Sequence, residues 1–291
     1  MKFNIYILGL SLVAVVLASC IREDLSECYS NNKLQLTYTG DDEDNDIFQQ
    51  KIESVEMYIF DAAVECVYNR TLTDVELAQQ EVMLPRLLVG EYRIICVANG
   101  ANTDIVAADG KDYSAIYFAD KSYTQGVATK SNDSLYWASN NLVITADDSM
   151  QVAKFQSSHY DVYVEVVGVD AQSDIHIQMS GLLPCTSLDT NVAFGETTTY
   201  YPAIESIAAE NKKVSTFNIM RHTNHAAVEV VLCDKSGAEL AKVNLAEFLA
   251  ENPSIDCSLN EVTIPISFSF KMAECTVSLP EWYIQDIKPE F

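Results

Sequence analysis

Leu34-Gln35-Leu36-Thr37-Tyr38 decides how the chain folds. Apolar side chains occupy every second position, which is the period of a pleated strand with one face in a core and one in water. The same beat returns at Val55, Met57 and Ile59, alternating with Glu56, Tyr58 and Phe60, and at Val162, Val164 and Val166. It continues at Ile175, Ile177 and Met179, at Val228, Val230 and Leu232, and at Ile264, Ile266, Phe268 and Phe270. Turn-forming stretches such as Asn99-Gly100-Ala101-Asn102 and Asp234-Lys235-Ser236-Gly237 separate the runs, a spacing that predicts β-sandwiches. Helical periodicity is confined to short faces at Leu245, Phe248 and Leu249, ending near Pro253, and over Asp74 to Gln79. The fold class is mainly β.

A boundary falls at Ser157-Ser158, between the apolar run ending at Phe155 and the strand beginning at Tyr160. No long Pro- or Gly-rich linker marks it, so two closely joined sandwiches are expected. At 291 residues the chain is long enough for two cores.

Its first residues follow the order of a secretory signal peptide: one positive charge at Lys2, an apolar stretch from Ile5 to Leu17, then small residues. That stretch is shorter than the roughly 20 apolar residues of a membrane span. Leu17-Ala18-Ser19-Cys20 resembles the bacterial lipobox, so cleavage between Ser19 and Cys20 and lipid attachment to Cys20 are expected. One acyl chain holds a protein only marginally, whereas two or three make attachment stable.

The formal charge is −24, from 18 bases against 42 acids, and removing residues 1–19 would take away one base and no acid. Such a surface is repelled by phosphate backbones and excludes nucleic acid as a partner. Anionic headgroups repel it too, so the lipid must do the attaching. Beyond Cys20 stand Cys28, Cys66, Cys96, Cys185, Cys233, Cys257 and Cys275, an odd number without a CxxC spacing. No disulfide follows from them, and Cys96 reads as a small buried hydrophobe within a strand.

Cys20-Ile21-Arg22-Glu23-Asp24-Leu25-Ser26-Glu27-Cys28, followed by the strand from Leu34, resembles the start of the FimB-type fimbrial anchor lipoproteins of Bacteroidetes. Val55 to Asp61, Leu88-Val89-Gly90-Glu91-Tyr92 leading to Ala98-Asn99, Phe217 to Arg221, Gly237-Ala238-Glu239-Leu240, Leu245 to Leu249, Ile264 to Phe270 and Trp282 extend the likeness. The resemblance implies two transthyretin-like β-sandwich domains in tandem, over 20–157 and 158–291, after the signal peptide at 1–19. It implies a subunit that tethers fimbriae to the outer membrane through lipid and limits their length, with stalk subunits as partners through strand complementation. Arg22-Glu23-Asp24 also resembles the tag that sends some lipoproteins of this phylum to the outer leaflet.

In polymerising relatives, the resemblance implies, an arginine-specific protease removes a lipidated first strand and a neighbour's terminal strand fills the groove. Here no arginine lies between Arg22 and Arg70, and the loop after the first strand reads Gly40-Asp41-Asp42-Glu43-Asp44-Asn45-Asp46. The first strand is therefore expected to stay. A last strand is expected from Cys275 to Ile284, with its phase shifting at Pro280. It reads either as an edge that joins a stalk subunit or as an ordinary sandwich edge with a buried Trp.

Asp42, Asp44, Asp46 and Glu53 have part of the spacing of a calcium loop, but Ile47 replaces the required glycine, so a solvated acidic loop is expected. His222 and His225 lack a third ligand nearby and read as exposed turn residues, leaving no metal site. Neither a phosphate loop nor a nucleophile elbow is present, so no cofactor and no catalysis are expected. The competing readings are a glycan-binding surface lipoprotein, using Trp137 and some tyrosines as platforms, and a tip or accessory fimbrial subunit.

Overall fold

Leu34 and Leu36 of β1 (Asn32–Thr37) and Tyr38 beyond it are fully buried, as the alternation requires. The computed structural model describes residues 31–106, 115–145, 147–170, 172–271 and 274–287. The expected signal peptide at 1–19, the expected cleavage and lipid site at Ser19 and Cys20, the Arg22-Glu23-Asp24 stretch and Cys28 lie outside the described residues.

The first half continues with β2 (Val55–Asp61), β3 (Cys66–Thr71), β4 (Glu81–Met83), β5 (Gly90–Ala98), β6 (Thr103–Val106), β7 (Tyr117–Asp120), β8 (Tyr136–Ile144), β9 (Ser149–Lys154) and β10 (Gln156–Ser157). One sheet has the order β4-β1-β9 and a second the order β10-β8-β5-β2-β3. They enclose a core that includes Leu36, Tyr38, Met57, Ile59, Ile94, Cys96 and Phe155. Cys96 is buried in β5 as expected, and the apolar surroundings push its thiol up to about 12. β1 pairs antiparallel with β4 and parallel with β9, so both of its edges are hydrogen-bonded.

The second half comprises β11 (His159–Val167), β12 (Ile175–Leu182), β13 (Cys185–Ser187), β14 (Ala193–Phe194), β15 (Thr198–Tyr200), β16 (Glu205–Ile207), β17 (Lys212–Met220), β18 (Glu229–Asp234), β19 (Glu239–Asn244), β20 (Thr263–Lys271) and β21 (Glu274–Ser278). Sheets ordered β16-β17-β11-β20-β21 and β15-β12-β18-β19 face each other across a core that includes Val162, Val164, Ile177, Val230, Ile264 and Phe268.

β2 departs from a one-sided strand. Tyr58 and Phe60, on the face opposite Met57 and Ile59, are buried as well. A further sheet, β14-β13-β7-β6, lies beyond them and joins strands of both halves, with Cys185 opposite Ala119 and Thr186 opposite Phe118. Tyr58, Phe60, Ile95, Val97, Phe118, Leu188 and Met220 form a third core there. β2 and β5 of the second sheet thus carry buried apolar residues on both faces, because each face meets a different core.

Two helices form where their signals stand. Asp74–Gln79 starts with a capping box between Thr73 and Glu76, and Arg70 holds the Glu76 carboxyl at a pKa of about 2. Leu245–Glu251 is capped by Asn244, whose side-chain oxygen accepts from the Glu247 amide at 3.2 Å, and buries Leu245 and Phe248.

The carboxy-terminal strand is shorter than expected. β21 stops at Ser278 and a helix runs over Glu281–Ile287, which removes Trp282 and Ile284 from the strand. Pro280 cannot donate to a ladder, while its carbonyl accepts from the Tyr283 amide at 3.1 Å and so opens the helix. Trp282 is not buried: it stands 40% exposed with its ring edge-on to Tyr163, centroids 5.3 Å apart.

Truncating β1 on its inner face should expose the weight it carries. Leu36→Ala is expected to lower unfolding free energy by about 2–5 kcal/mol, as for other large-to-small core changes. Gln35→Ala, on the exposed face of the same strand, should stay within about 0.5 kcal/mol of the parent in the same urea titration.

Candidate functional site

The halves meet at a polar clamp built from residues that the sequence distributes widely. Arg221 follows β17 and lies over the Tyr160 ring, its guanidinium carbon 4.6 Å from the centroid. Its nitrogens donate to the carbonyls of Cys257 at 3.2 Å and Asn260 at 2.9 Å, fixing the loop ahead of β20. That loop then grips the first half. The Asn260 and Glu261 amides donate to the Asp41 carboxylate at 2.7 and 2.9 Å, and the Asn260 side chain donates to the Gly40 carbonyl at 2.9 Å. The Ser157 amide returns a bond to Asn260 at 3.1 Å. Glu261 accepts from the Tyr38 hydroxyl and pairs with Lys51. A second tie joins Arg93 to Asp189, and the Trp137 indole donates to the Leu188 carbonyl at 2.8 Å.

The acidic loop is therefore more than a solvated turn, because Asp41 spends both carboxylate oxygens on the other half. Its calcium-like members serve separate purposes. Asp42 caps the Asp44 amide, Asp46 accepts from the Phe48 amide at 2.9 Å and from Gln80 at 2.9 Å, and Glu53 gives its amide to Asn99. Among the described residues, no group of three or more His, Cys, Asp or Glu side chains is placed to hold a metal ion.

A cleft of about 420 Å³ opens at the junction, lined by residues that include Lys51, Glu53, Asp133, Tyr136, His159 and Asp161. Asp161, His159 and Ser157 stand in an order resembling a nucleophilic triad, with Asp161 3.5 Å from His159 Nε2 and Ser157 Oγ 3.2 Å from Nδ1. The chemistry does not follow. Nδ1 lies 2.9 Å from the Leu135 carbonyl, which only accepts, so this nitrogen carries a hydrogen and cannot take the serine proton. The Ser157 hydroxyl donates to the His159 carbonyl at 2.9 Å instead. Trp137, the candidate glycan platform, is half-buried against the third core with its N–H bonded.

His222 and His225 are not exposed. His222 is buried, its Nδ1 2.9 Å from the Met220 carbonyl, and the two imidazoles stand 4.8 Å apart beside Tyr160. A buried Nε2 on His222 and a buried Nδ1 on His225 have no hydrogen-bond partner. Burial pushes both pKa values down, that of His225 to about 4 with the help of neighbouring His222. The alternation of β17 and β18 gives no warning of this, since the intervening Thr223-Asn224 has the composition of any exposed turn.

Of the strands read as functional, β1 is central in its sheet, whereas β21 is an edge. Cys275, Val277 and Leu279 pack against the second core, and β21 pairs only with β20 among the described residues.

The histidine pair has a consequence for acid stability. Above the ordinary histidine pKa of 6.5 both folded and unfolded chains hold His225 neutral. Between 6.5 and about 4 the unfolded chain binds a proton that the folded one does not, so stability falls as pH falls, and the loss levels off below about 4. The urea midpoint should therefore drop between pH 7 and pH 4.5, and His225→Gln should reduce that drop. An equal drop in both proteins would count against this assignment.

Comparison with known proteins bears on this architecture. The family profile of fimbrillin-A associated anchor proteins Mfa1 and Mfa2 matches residues 25–288. A candidate adhesin of Bacteroides thetaiotaomicron VPI-5482 superposes with a TM-score of 0.70 at 17% identity, covering 89% of this chain and 98% of that one. A candidate polysaccharide-binding protein of the same organism gives 0.70 at 17% identity, over 87% and 96%. The fimbrial anchor protein Mfa2 of Porphyromonas gingivalis gives 0.67 at 14% identity, over 86% and 95%. At these identities the structural likenesses establish the mainly β fold alone. Comparison with curated proteins gives no match. With the profile spanning nearly the whole chain, the protein belongs to the fimbrillin-A associated anchor family and has a fimbria-associated role at the cell surface.

Proposed function

We propose that this protein is a lipid-tethered anchor subunit that holds a fimbria to the outer membrane and ends its assembly there. In this reading Cys20 carries the lipid, signal peptidase cuts between Ser19 and Cys20, and domains over 20–157 and 158–291 form one covalent tether. Each buried methylene contributes about 0.8 kcal/mol, so two or three acyl chains would resist extraction of a fimbria.

The observation that carries the reading is the standing of β1. It is hydrogen-bonded on both edges, its inward side chains are fully buried, and the sequence offers no arginine from residue 23 to residue 69. A protease specific for arginine has no target there, so the strand remains in the groove that a stalk subunit would otherwise fill. The subunit then accepts no donor strand and stands at the end of the polymer. Stalk contact falls to the opposite half, where β21 offers an edge over Glu274–Ser278 for strand addition. The helix after Pro280 limits any donated segment to about that length.

Two measurements test this. In native envelopes the mature amino terminus should be acylated Cys20; a form beginning near Ile47 or Ile52 would show that the strand is removed. Cys20→Ala should release fimbriae into the medium, and fimbriae that remain attached in that variant would defeat the tethering role.

A further inference from the structure

The first sandwich has two unlike ends. At one, Tyr38, Gly40, Asp41, Lys51 and Ser157 meet the second half through Asn260 and Glu261. The strand registers place the opposite pole. β1 begins there at Asn32 beside Ser149, the Leu84 amide donates to the Asn32 carbonyl at 2.9 Å, Gly90 stands opposite Ile144, and Asp61 opposite Tyr92. The chain therefore arrives from Cys20 at the pole opposite the Asn260–Glu261 clamp, where the Asn31 amide donates a hydrogen bond of 2.6 Å to the Asp148 carboxylate.

That pole carries an apolar projection. Between β4 and β5 the chain reads Leu84-Pro85-Arg86-Leu87-Leu88-Val89. Leu84 is buried and Leu87 packs against the first core, while the Tyr92 hydroxyl donates to the Leu88 carbonyl at 3.1 Å. With its base pinned in this way, the loop presents Leu88 at 61% and Val89 at 54% exposure. Met83 and Met150, both opposite Lys33 on the outer face of the β4-β1-β9 sheet, add two further apolar residues, 50% and 53% exposed. Ala62 and Ala63 are exposed in the neighbouring hairpin.

Charge also sets this loop apart. No acid occurs from Val82 to Gly90 in a chain of net charge −24, and the loop's single ionisable group is Arg86. Among the described residues the pole's acids include Asp61, Glu65, Glu91, Asp147 and Asp148; Asp61 caps its own turn and Asp148 holds Asn31. About eleven residues separate Cys20 from Asn31, a path that spans no more than about 40 Å when fully extended. A bilayer holding the lipid therefore lies within reach of this pole.

We propose that Leu88 and Val89 insert into the bilayer interface beside the lipidated Cys20, a second, non-covalent membrane contact that seats the first sandwich on its pole. The inference rests on the lipid-anchor reading and adds an orientation to it. A tether alone lets the body swing, whereas the inserted loop directs the second half and its β21 edge away from the membrane.

The test uses the full lipidated chain reconstituted in phosphatidylcholine vesicles, with Leu88→Trp and, independently, Val89→Trp. Leu240→Trp, at a 42% exposed site on β19 in the second half, serves as the distal control. Vesicle flotation reports anchoring separately from insertion. In floated protein, emission from the indoles introduced at 88 and 89 should shift to the blue and be lost when the lipid chains are brominated. Emission from position 240, and from native Trp137 and Trp282, should not. Floated protein whose indoles at 88 and 89 are quenched no more than that at 240 overturns the insertion while leaving the tether intact. A blue shift without bromolipid quenching means that protein covers the loop, and also overturns it. Parent protein that fails to float refutes the lipid-anchor reading itself.

Discussion

The backbone pairing of β1 is the constraint on which the first half depends. A strand with a neighbour on each edge cannot leave without stranding donors and acceptors on both, each costing about 1–3 kcal/mol if buried and unpaired. Leu34, Leu36 and Tyr38 add apolar burial to that penalty. The parallel register with β9 matters as much. It joins residues more than a hundred positions apart, from Asn32 beside Ser149 to Thr37 beside Lys154, so β1 closes the first half rather than decorating it.

What begins at β1 continues through the junction. Tyr38 ends the strand's buried row, and its hydroxyl reaches Glu261 in the second half. Asp41, three residues on, receives two amides from the same loop, and Arg221 secures that loop from behind. Together with the sheet that mixes β6 and β7 with β13 and β14, these bonds make the junction a packed interface. Tension applied to one half therefore passes to the other through cores and paired strands, not through a linker. The buried histidines are part of the same construction, because their loop lies against Tyr160, the ring that Arg221 covers.

Period-two alternation made the strands and their inward faces legible in the sequence, since a pleated strand beside a single core leaves no other pattern. It failed where a strand serves two cores. Tyr58 and Phe60 occupy the positions that alternation assigns to solvent, and their burial comes from a separate sheet whose strands reach as far along the chain as residue 194. The helical end after Pro280 was half visible: the proline announced a break, but the choice of helix over strand depends on a carbonyl that captures the next amides. His222 and His225 were misread because burial of a loop is decided by what packs on it. Asp41 was hidden among its acidic neighbours, and only its distance from Asn260 distinguishes it.

In the anchor reading, one strand joins two requirements that would otherwise be independent. A subunit that ends a polymer must keep its groove closed, and a subunit that tethers one must keep its lipid. Both depend on an uncut chain from Cys20 through β1 and into the rest of the first half. A cut after β1 would open the groove and release the lipid together, converting an anchor into a free subunit able to accept a donor strand. The chain from residue 23 to residue 69 contains lysines but no arginine, so the discrimination required is between two basic side chains. Arginine's planar fork and lysine's point charge differ enough for a specific pocket to make that choice. Keeping the groove closed then follows from the exclusion of arginine between β1 and Arg70, whereas keeping the lipid also requires that Arg22, between Cys20 and β1, stay uncut.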